Sequence, residues 1–481
     1  MLFVLAALVA LVGQAAAVDS GAFRLALSSA GLEFGVKEGA KVVIAGLQNL
    51  AVPDIPYQKF HCLGKCYVEL GEISVDQLAC PTISSSLAAP SALSVAIEGC
   101  SAVVNAGHWR MKRTTFPGFS CSGHLDLSLS SFTAGVEIEI DETSDHRFQV
   151  KLQQASIHLG DDDLHMHGDC DLITDIARHA IEHAIRKAVN DKLASKLDSI
   201  LSELLAKVHI PGSITVGQVA DLSLLLDAEP SASSAQLAID MVGLFAPIGQ
   251  NTSSYPGPEP SFATPETARE VQLVISEAMP SSLMWSLYEQ KLLVFADAFS
   301  VLGVTVNATA EASKAPTFAF AASSDATIAL ALTAGVIVPA PLDDALTVDV
   351  AFALPIAVSI EAQTLKTKVG TVDLSTLDID VQLKNSTREY NSTALRAIAE
   401  GVINTLVVPK IDKILAPGFP LPTYDGIHLD SPALTFAAGY LVIESNFAKD
   451  AYAADGAALP GYLATGGLPR TGVQATVIQS K

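Results

Sequence analysis

The chain has 481 residues, 49% of them hydrophobic, a net charge of −22 and a mean hydropathy of +0.38. That acidity excludes nucleic acid as a partner and any general attraction to anionic membranes. The length allows about two to four domains with cores that fold without staples, and the hydropathy asks either for very large cores or for cavities that take an apolar ligand.

Residues 2–12 form an apolar run too short to cross a bilayer as a helix. It leads to Ala15-Ala16-Ala17, so 1–17 reads as a secretory signal peptide and the mature chain is expected to be extracellular, beginning at Val18. Secretion fits four glycosylation triplets, headed by Asn251, Asn307, Asn385 and Asn391. It also fits six cysteines, Cys62, Cys66, Cys80, Cys100, Cys121 and Cys170, which all precede residue 171.

The first helical pattern covers about 28–49, with Leu32, Val36, Val43 and Leu47 on one side and Ala40 between them; Gly31, Gly35 and Gly39 weaken it. Period-two alternation follows in 120–132 and 135–142 and marks strands. A long helix is expected over 171–207. Its stripe begins at Ile173, Ile176, Ala177, Ala180 and Ala184, then drifts through Leu193, Leu197, Leu201 and Leu204. Residues 249–267, "GQNTSSYPGPEPSFATPET", are rich in Pro, Ser, Gly and Thr and read as an exposed linker. A short helix over 279–290 carries Met279, Leu283 and Leu287 at i, i+4, i+8. Residues 326–342 and 377–383 read as strands. The last helix, 392–415, gathers Leu395, Ile398, Ala399, Val402 and Leu406 in a narrow arc; Pro409 tightens its end and Gly418 lies where it has stopped. The tail 448–481 is rich in Gly and Ala.

This order, with these residues, resembles the family of bactericidal/permeability-increasing protein, lipopolysaccharide-binding protein and the plasma lipid transfer proteins. The segments that carry the likeness are "AGLEFGVKEGAKVV" with the Val-Pro-Asp that follows it, "CLGKCYVEL" (62–70), "GHWRMKRTTFPGFSCSGHLDLSLSSF" (107–132) and "VVPKIDKILAPGFPLPTYDGIHLDSPALTF" (407–436). The resemblance implies an α+β fold shaped as an elongated boomerang. An N-terminal barrel domain (18–228) and a C-terminal one (269–447) each pack a long helix on a twisted antiparallel sheet. They meet at a central sheet, which also takes strands from a linker region (229–268), and 448–481 forms a tail. It further implies apolar pockets for the two chains of a phospholipid or similar lipid, with no cofactor and no catalysis.

On that reading the first pocket is lined by Leu32, Val36, Val43, Leu47, Ile176, Ala180 and Ala184, and the second by Leu283, Leu287, Leu395, Ala399, Val402 and Leu406. Each methylene taken out of water into such a pocket contributes about 0.8 kcal/mol. The tip of the first domain, where family members meet lipopolysaccharide or a membrane surface, matches Lys59, Lys65, Trp109, Arg110, Lys112 and Arg113. A hairpin over 93–127, centred near 110–111, would set Cys100 against Cys121 as a disulfide; Cys62 and Cys66 could bridge locally or pair with Cys80 or Cys170. Other patterns are weaker. "HAIEH" (179–183) has the spacing of inverted zinc peptidases without an obvious third ligand, "HMHGDC" (165–170) sets His165 and His167 on one strand face, and no nucleotide loop or catalytic triad is found.

Overall fold

The structure is a computed structural model. It describes residues 21–450 apart from 49, 63, 116–117, 161, 169–173, 207–211, 217–218, 258–259, 261–266, 302, 323–324, 340–343, 371, 373, 375–377, 422 and 424–425. The signal-peptide reading, the tail reading beyond 450, and residues 258–259 and 261–266 of the linker reading therefore lie outside the described residues.

Two eight-stranded antiparallel sheets make the body of the protein. In the first, the strands Leu50–Val52, Gly64–Ala79, Ala92–Arg113, Phe119–Glu142 and Phe148–His158 lie in that order. Ile55–Cys62, Thr82–Ala88 and Asp162–Gly168 pair alongside them. Its middle strands are 16, 22 and 24 residues long. Strands of that length coil, and bulges turn them. The register slips at Asp76/Ala79, Ile97/Cys100 and Ala106/Trp109, with left-handed backbone at Glu72, Gln77, Gly99 and Ser131. The second sheet runs Val294–Val301, Val304–Ala312, Asp325–Val338, Asp344–Glu361, Thr364–Val369 and Phe419–Pro420, with Thr317–Ala321 and Ile379–Asn385 alongside. In 325–338 every second residue from Ala326 to Val338 is buried, as the alternation predicted.

A six-stranded central sheet joins the two halves. Its order is Ser231–Ala232, Gln236–Met241, Phe23–Ser28, Val271–Ser276, Tyr440–Lys449, Ile427–Ala437. The first described strand thus lies between two strands that the chain reaches more than two hundred residues later.

Helix α1 (Ser29–Leu47) is capped by Ser28, whose Oγ accepts from the Gly31 N–H at 3.2 Å. Its glycines allow close packing: a Cβ on Gly31 would lie 2.1 Å from the Glu270 carbonyl oxygen, and one on Gly46 would lie 2.8 Å from Ile200 Cδ1 of α2 (Thr174–Ala206). Helix α3 spans Ala278–Glu289. The last helix has three parts, α4 (Ser392–Gly401), a π-helical turn Val402–Val407 and α5 (Val408–Leu415). Asn391 caps α4 by accepting from the Ala394 N–H at 2.8 Å. Pro409 has no N–H to give the Thr405 carbonyl, and the wider turn before it accommodates that loss.

Past α5, Gly418 takes a φ of +68°, where a Cβ would lie 2.7 Å from the Leu365 carbonyl oxygen. The Lys366 ammonium donates to the carbonyls of Ala416 and Pro417, which the ending helix leaves without partners. Phe419–Pro420 then pairs with Thr364–Val369 before the chain enters the central sheet at Ile427. The stretch from Gly418 to Leu421 therefore leads the chain from the second domain's last helix toward the joint between the domains.

Candidate functional site

The helix stripes face inward. Leu32, Val36, Ala40, Val43 and Leu47 of α1 are all buried, and α1 packs on Thr82–Ala88 of the first sheet and on α2. In the second domain Ala399, Val402 and Leu406 are buried, with Leu395 at their margin, and α4 to α5 lie over Val294–Val301, Thr364–Val369 and Ile379–Asn385. These side chains belong to one continuous apolar core that also holds the inward residues of both sheets.

Three parts of the sequence reading are corrected. The buried stripe of α2 is Ile181, Ile185, Val189, Leu193, Leu197 and Leu201, so Ala184 lies beside it and half-buried. The side chains of Ile176 and Ala180 lie outside the described residues. Leu283 and Leu287 belong to α3, which packs on Phe245–Pro247 and Thr317–Ala321, a different set of strands from those under α4 and α5. The helix is buried nearly all round, with Met284, Trp285 and Ser286 as covered as Leu287.

The third correction concerns the hairpin. Residues 92–113 form one strand through Trp109, and the pairing with Phe119–Glu142 sets Cys100 opposite Phe132 and Cys121 opposite Met111. The expected Cys100–Cys121 bridge is therefore impossible. Cys100 bonds Cys80 instead, with Cα atoms 4.1 Å apart, because the bulges at Asp76/Ala79 and Ile97/Cys100 bring those two strands together there. Cys66 and Cys121 are also disulfide-bonded.

Trp109 is likewise an interior residue and not a surface anchor. It is 1% exposed, and its indole Nε1 donates to the carbonyls of His124 and His167 at 3.2 Å each. The alternation that buries Trp109 and Met111 turns Arg110 and Lys112 to the outer face of the sheet. Lys59 pairs in register with Tyr67, and Tyr67 with Lys112, so two lysines flank a tyrosine across three neighbouring strands. Lys65 shares that face. Among the described residues none of Lys59, Lys65, Arg110 and Lys112 enters an ion pair, so their charges point to solvent. Arg113 falls on the other parity at the sheet's end, where its Nε donates to Thr115 at 3.2 Å.

The strongest carboxylate perturbation lies elsewhere. Asp344, 3% exposed, accepts from the hydroxyl and the N–H of Thr387, from Ser386 Oγ at 2.8 Å and from Tyr390 OH at 2.8 Å. The Thr387 hydroxyl foremost, with Ser386 and Tyr390, outweighs burial and holds the Asp344 carboxyl far below the usual carboxylate range. The clasp ties the start of Asp344–Glu361 to the segment that leads into α4. It is structural, and nothing in the sequence pattern singled it out. Asn307 and Asn385 are exposed on strands, while Asn251 and Asn391 are exposed at helix caps.

Residues 31–204 match the N-terminal domain, and 298–448 the C-terminal domain, described for the LBP / BPI / CETP family. The chain belongs to the LBP / BPI / CETP family. Among solved structures, lipopolysaccharide binding protein shares the fold at a TM-score of 0.61 and 17% identity, over 90% of this chain and 99% of that one. P47 of Clostridium botulinum E1 (TM-score 0.31, 9% identity, 89% and 99% covered) and Takeout 1 of Epiphyas postvittana (0.27, 14%, 38% and 92%) are too distant to carry an argument. No curated protein matches the chain. The LBP / BPI / CETP fold accounts for the two similar sheets, the inward helices and the central joint; no described helix is long and apolar enough to cross a membrane.

Proposed function

We propose that this member of a lipid-binding family carries phospholipid-like molecules, their acyl chains held between the inward helix stripes and the sheets of the two domains. The observation that supports this most is the pairing of a wholly buried stripe on α1, and another on α4 to α5, with the apolar face of a long coiled sheet. Family membership supports the same reading, and the signal peptide and triplets support a secreted glycoprotein. Acyl chains ask only for apolar contact, and the chemistry needs neither a catalytic group nor a cofactor.

The test is denaturing mass spectrometry of solvent extracts from the protein secreted by a eukaryotic host. One or two two-chain lipids per protein are expected. Ala40→Phe in α1 and Ala399→Phe in α4 should each remove one while near-ultraviolet circular dichroism stays native. Lipid-free protein that takes up no lipid from vesicles would overturn the reading.

A second reading has its own observation. Four cations with no ion pair among the described residues, Lys59, Lys65, Arg110 and Lys112, share the outer face of the first sheet in a chain of net charge −22. They suit a phosphorylated headgroup such as that of lipopolysaccharide. Such binding should weaken sharply between 50 and 300 mM salt, conditions chosen to span the Debye screening range. It should also fall in Lys59→Gln/Lys112→Gln, whereas acyl carriage should not change with either.

A further inference from the structure

We propose that His124 and His167 form a binding site for a divalent transition-metal ion on the outer face of the first sheet. The two residues stand directly opposite one another on adjacent antiparallel strands, Phe119–Glu142 and Asp162–Gly168. Their rings stack face to face, with centroids 4.8 Å apart and planes 19° apart. Both are exposed. Among the described residues neither ring has a hydrogen-bond partner in the protein, so the imidazole nitrogens are not committed to other groups there.

The backbone holds this pair in place from below. The Trp109 indole donates to the carbonyls of both histidines. Beside them Gly123 faces Gly168, and both positions are too tight for a side chain: a Cβ on Gly123 would lie 1.8 Å from the His167 carbonyl oxygen, and one on Gly168 would lie 2.7 Å from Trp109 Cζ2. The strands therefore approach closely over the buried indole, and the two imidazoles are fixed as neighbours without using their nitrogens. With centroids 4.8 Å apart, the two exposed rings are close enough to offer one nitrogen each to a shared ion with bonds of about 2 Å.

Among the described residues no three donors converge on one point. The protein thus supplies two ligands, and water completes the shell. His165 and Asp126 form the next pair along the same face, but the His165 Nε2 is engaged 3.1 Å from Asp163 Oδ2, and Asp163 also meets Arg178. Imidazole donors select copper, zinc or nickel over calcium or magnesium, with copper bound most tightly.

The full secreted chain is titrated with Cu2+ and Zn2+ by calorimetry. Electron paramagnetic resonance counts the nitrogens on bound copper. One ion per chain is expected, with two nitrogens. His124→Gln and His167→Gln should each weaken binding at least about tenfold, whereas His165→Gln and His158→Gln should change it little. Neither exchanged ring has a hydrogen-bond partner among the described residues, so these variants keep the fold, which thermal melts check. Copper should also quench Trp109 emission in a Trp285→Phe background. Equal binding by wild type and His124→Gln, a loss shared with His158→Gln, or a copper spectrum with one nitrogen would overturn the proposal.

Discussion

Lys449 donates to the Glu38 carboxylate at 2.9 Å across a sequence separation of 411 residues. Lys41 binds the other oxygen of Glu38, and four residues before it Phe34 stacks on Phe447 with centroids 5.6 Å apart. The end of the central sheet is thereby fastened to the first domain's helix. Burial opposes ionisation of Glu38, but Lys41 and Lys449 together outweigh it and hold its carboxyl below the ordinary value. A depressed acid stabilises the fold above its unfolded pKa and loses that contribution as the pH falls through the folded one. Lys449→Ala should cost up to about 1 kcal/mol at pH 7, since solvent screens such a pair. The difference from wild type should shrink in urea melts as the pH falls below the ordinary glutamate range.

Asp344 makes a sharper prediction because its partners are all neutral donors. Asp344→Asn keeps the shape of the clasp around Ser386, Thr387 and Tyr390 but removes its charge. Its folded pKa is depressed, so wild type should be the more stable protein at neutral pH. That advantage should decline as the pH drops below about 4, the ordinary range for an aspartate. An Asn variant whose acid unfolding parallels wild type would show that the clasp carries no charge-dependent stability.

The Cys80–Cys100 bridge is checked by non-reducing peptide mapping, which should return a fragment linking those two residues and none linking Cys100 to Cys121. Because it closes a loop of 20 residues' separation, Cys80→Ser/Cys100→Ser should lose about 3 kcal/mol by chain entropy. A chemical melt of the double variant measures it.

Trp109 offers a check on the surface reading. A tryptophan at a membrane interface shifts its emission when vesicles bind; one buried beneath a sheet does not. In a Trp285→Phe background, vesicles of anionic phospholipid should leave the Trp109 emission maximum unchanged even where Lys59 and Lys112 mediate binding. Trp109→Phe should instead destabilise by about 1–2 kcal/mol through its lost hydrogen bonds.

The helices were legible in the sequence because caps and a 3.6-residue period act locally: Ser28 and Asn391 start α1 and α4 where the pattern begins. The long strands were legible from their alternation. The hairpin centre was not, because Arg110 and Lys112 make 109–113 look like a polar turn. Yet Trp109, Met111 and the residues between them alternate, which is a strand signal. The α2 stripe was right from Leu193 onward and misplaced by one position at Ala184, because its inward residues recur every four and the face rotates along the helix. Which strands α3 would meet depends on tertiary packing against Phe245–Pro247 and Thr317–Ala321, about thirty residues away on either side, and nothing local encodes it.

The position of Phe23–Ser28 within the central sheet has a consequence for biosynthesis. This strand emerges from the ribosome early, yet its partners Gln236–Met241 and Val271–Ser276 come much later, and Tyr440–Lys449 closes the next place in the row near the end of translation. Until residues 236–276 have been made it is an apolar ribbon with two open edges, the kind of segment that pairs with the wrong chain. A fragment ending before residue 236 would keep those edges for good. The two domains are therefore poor candidates for separate expression.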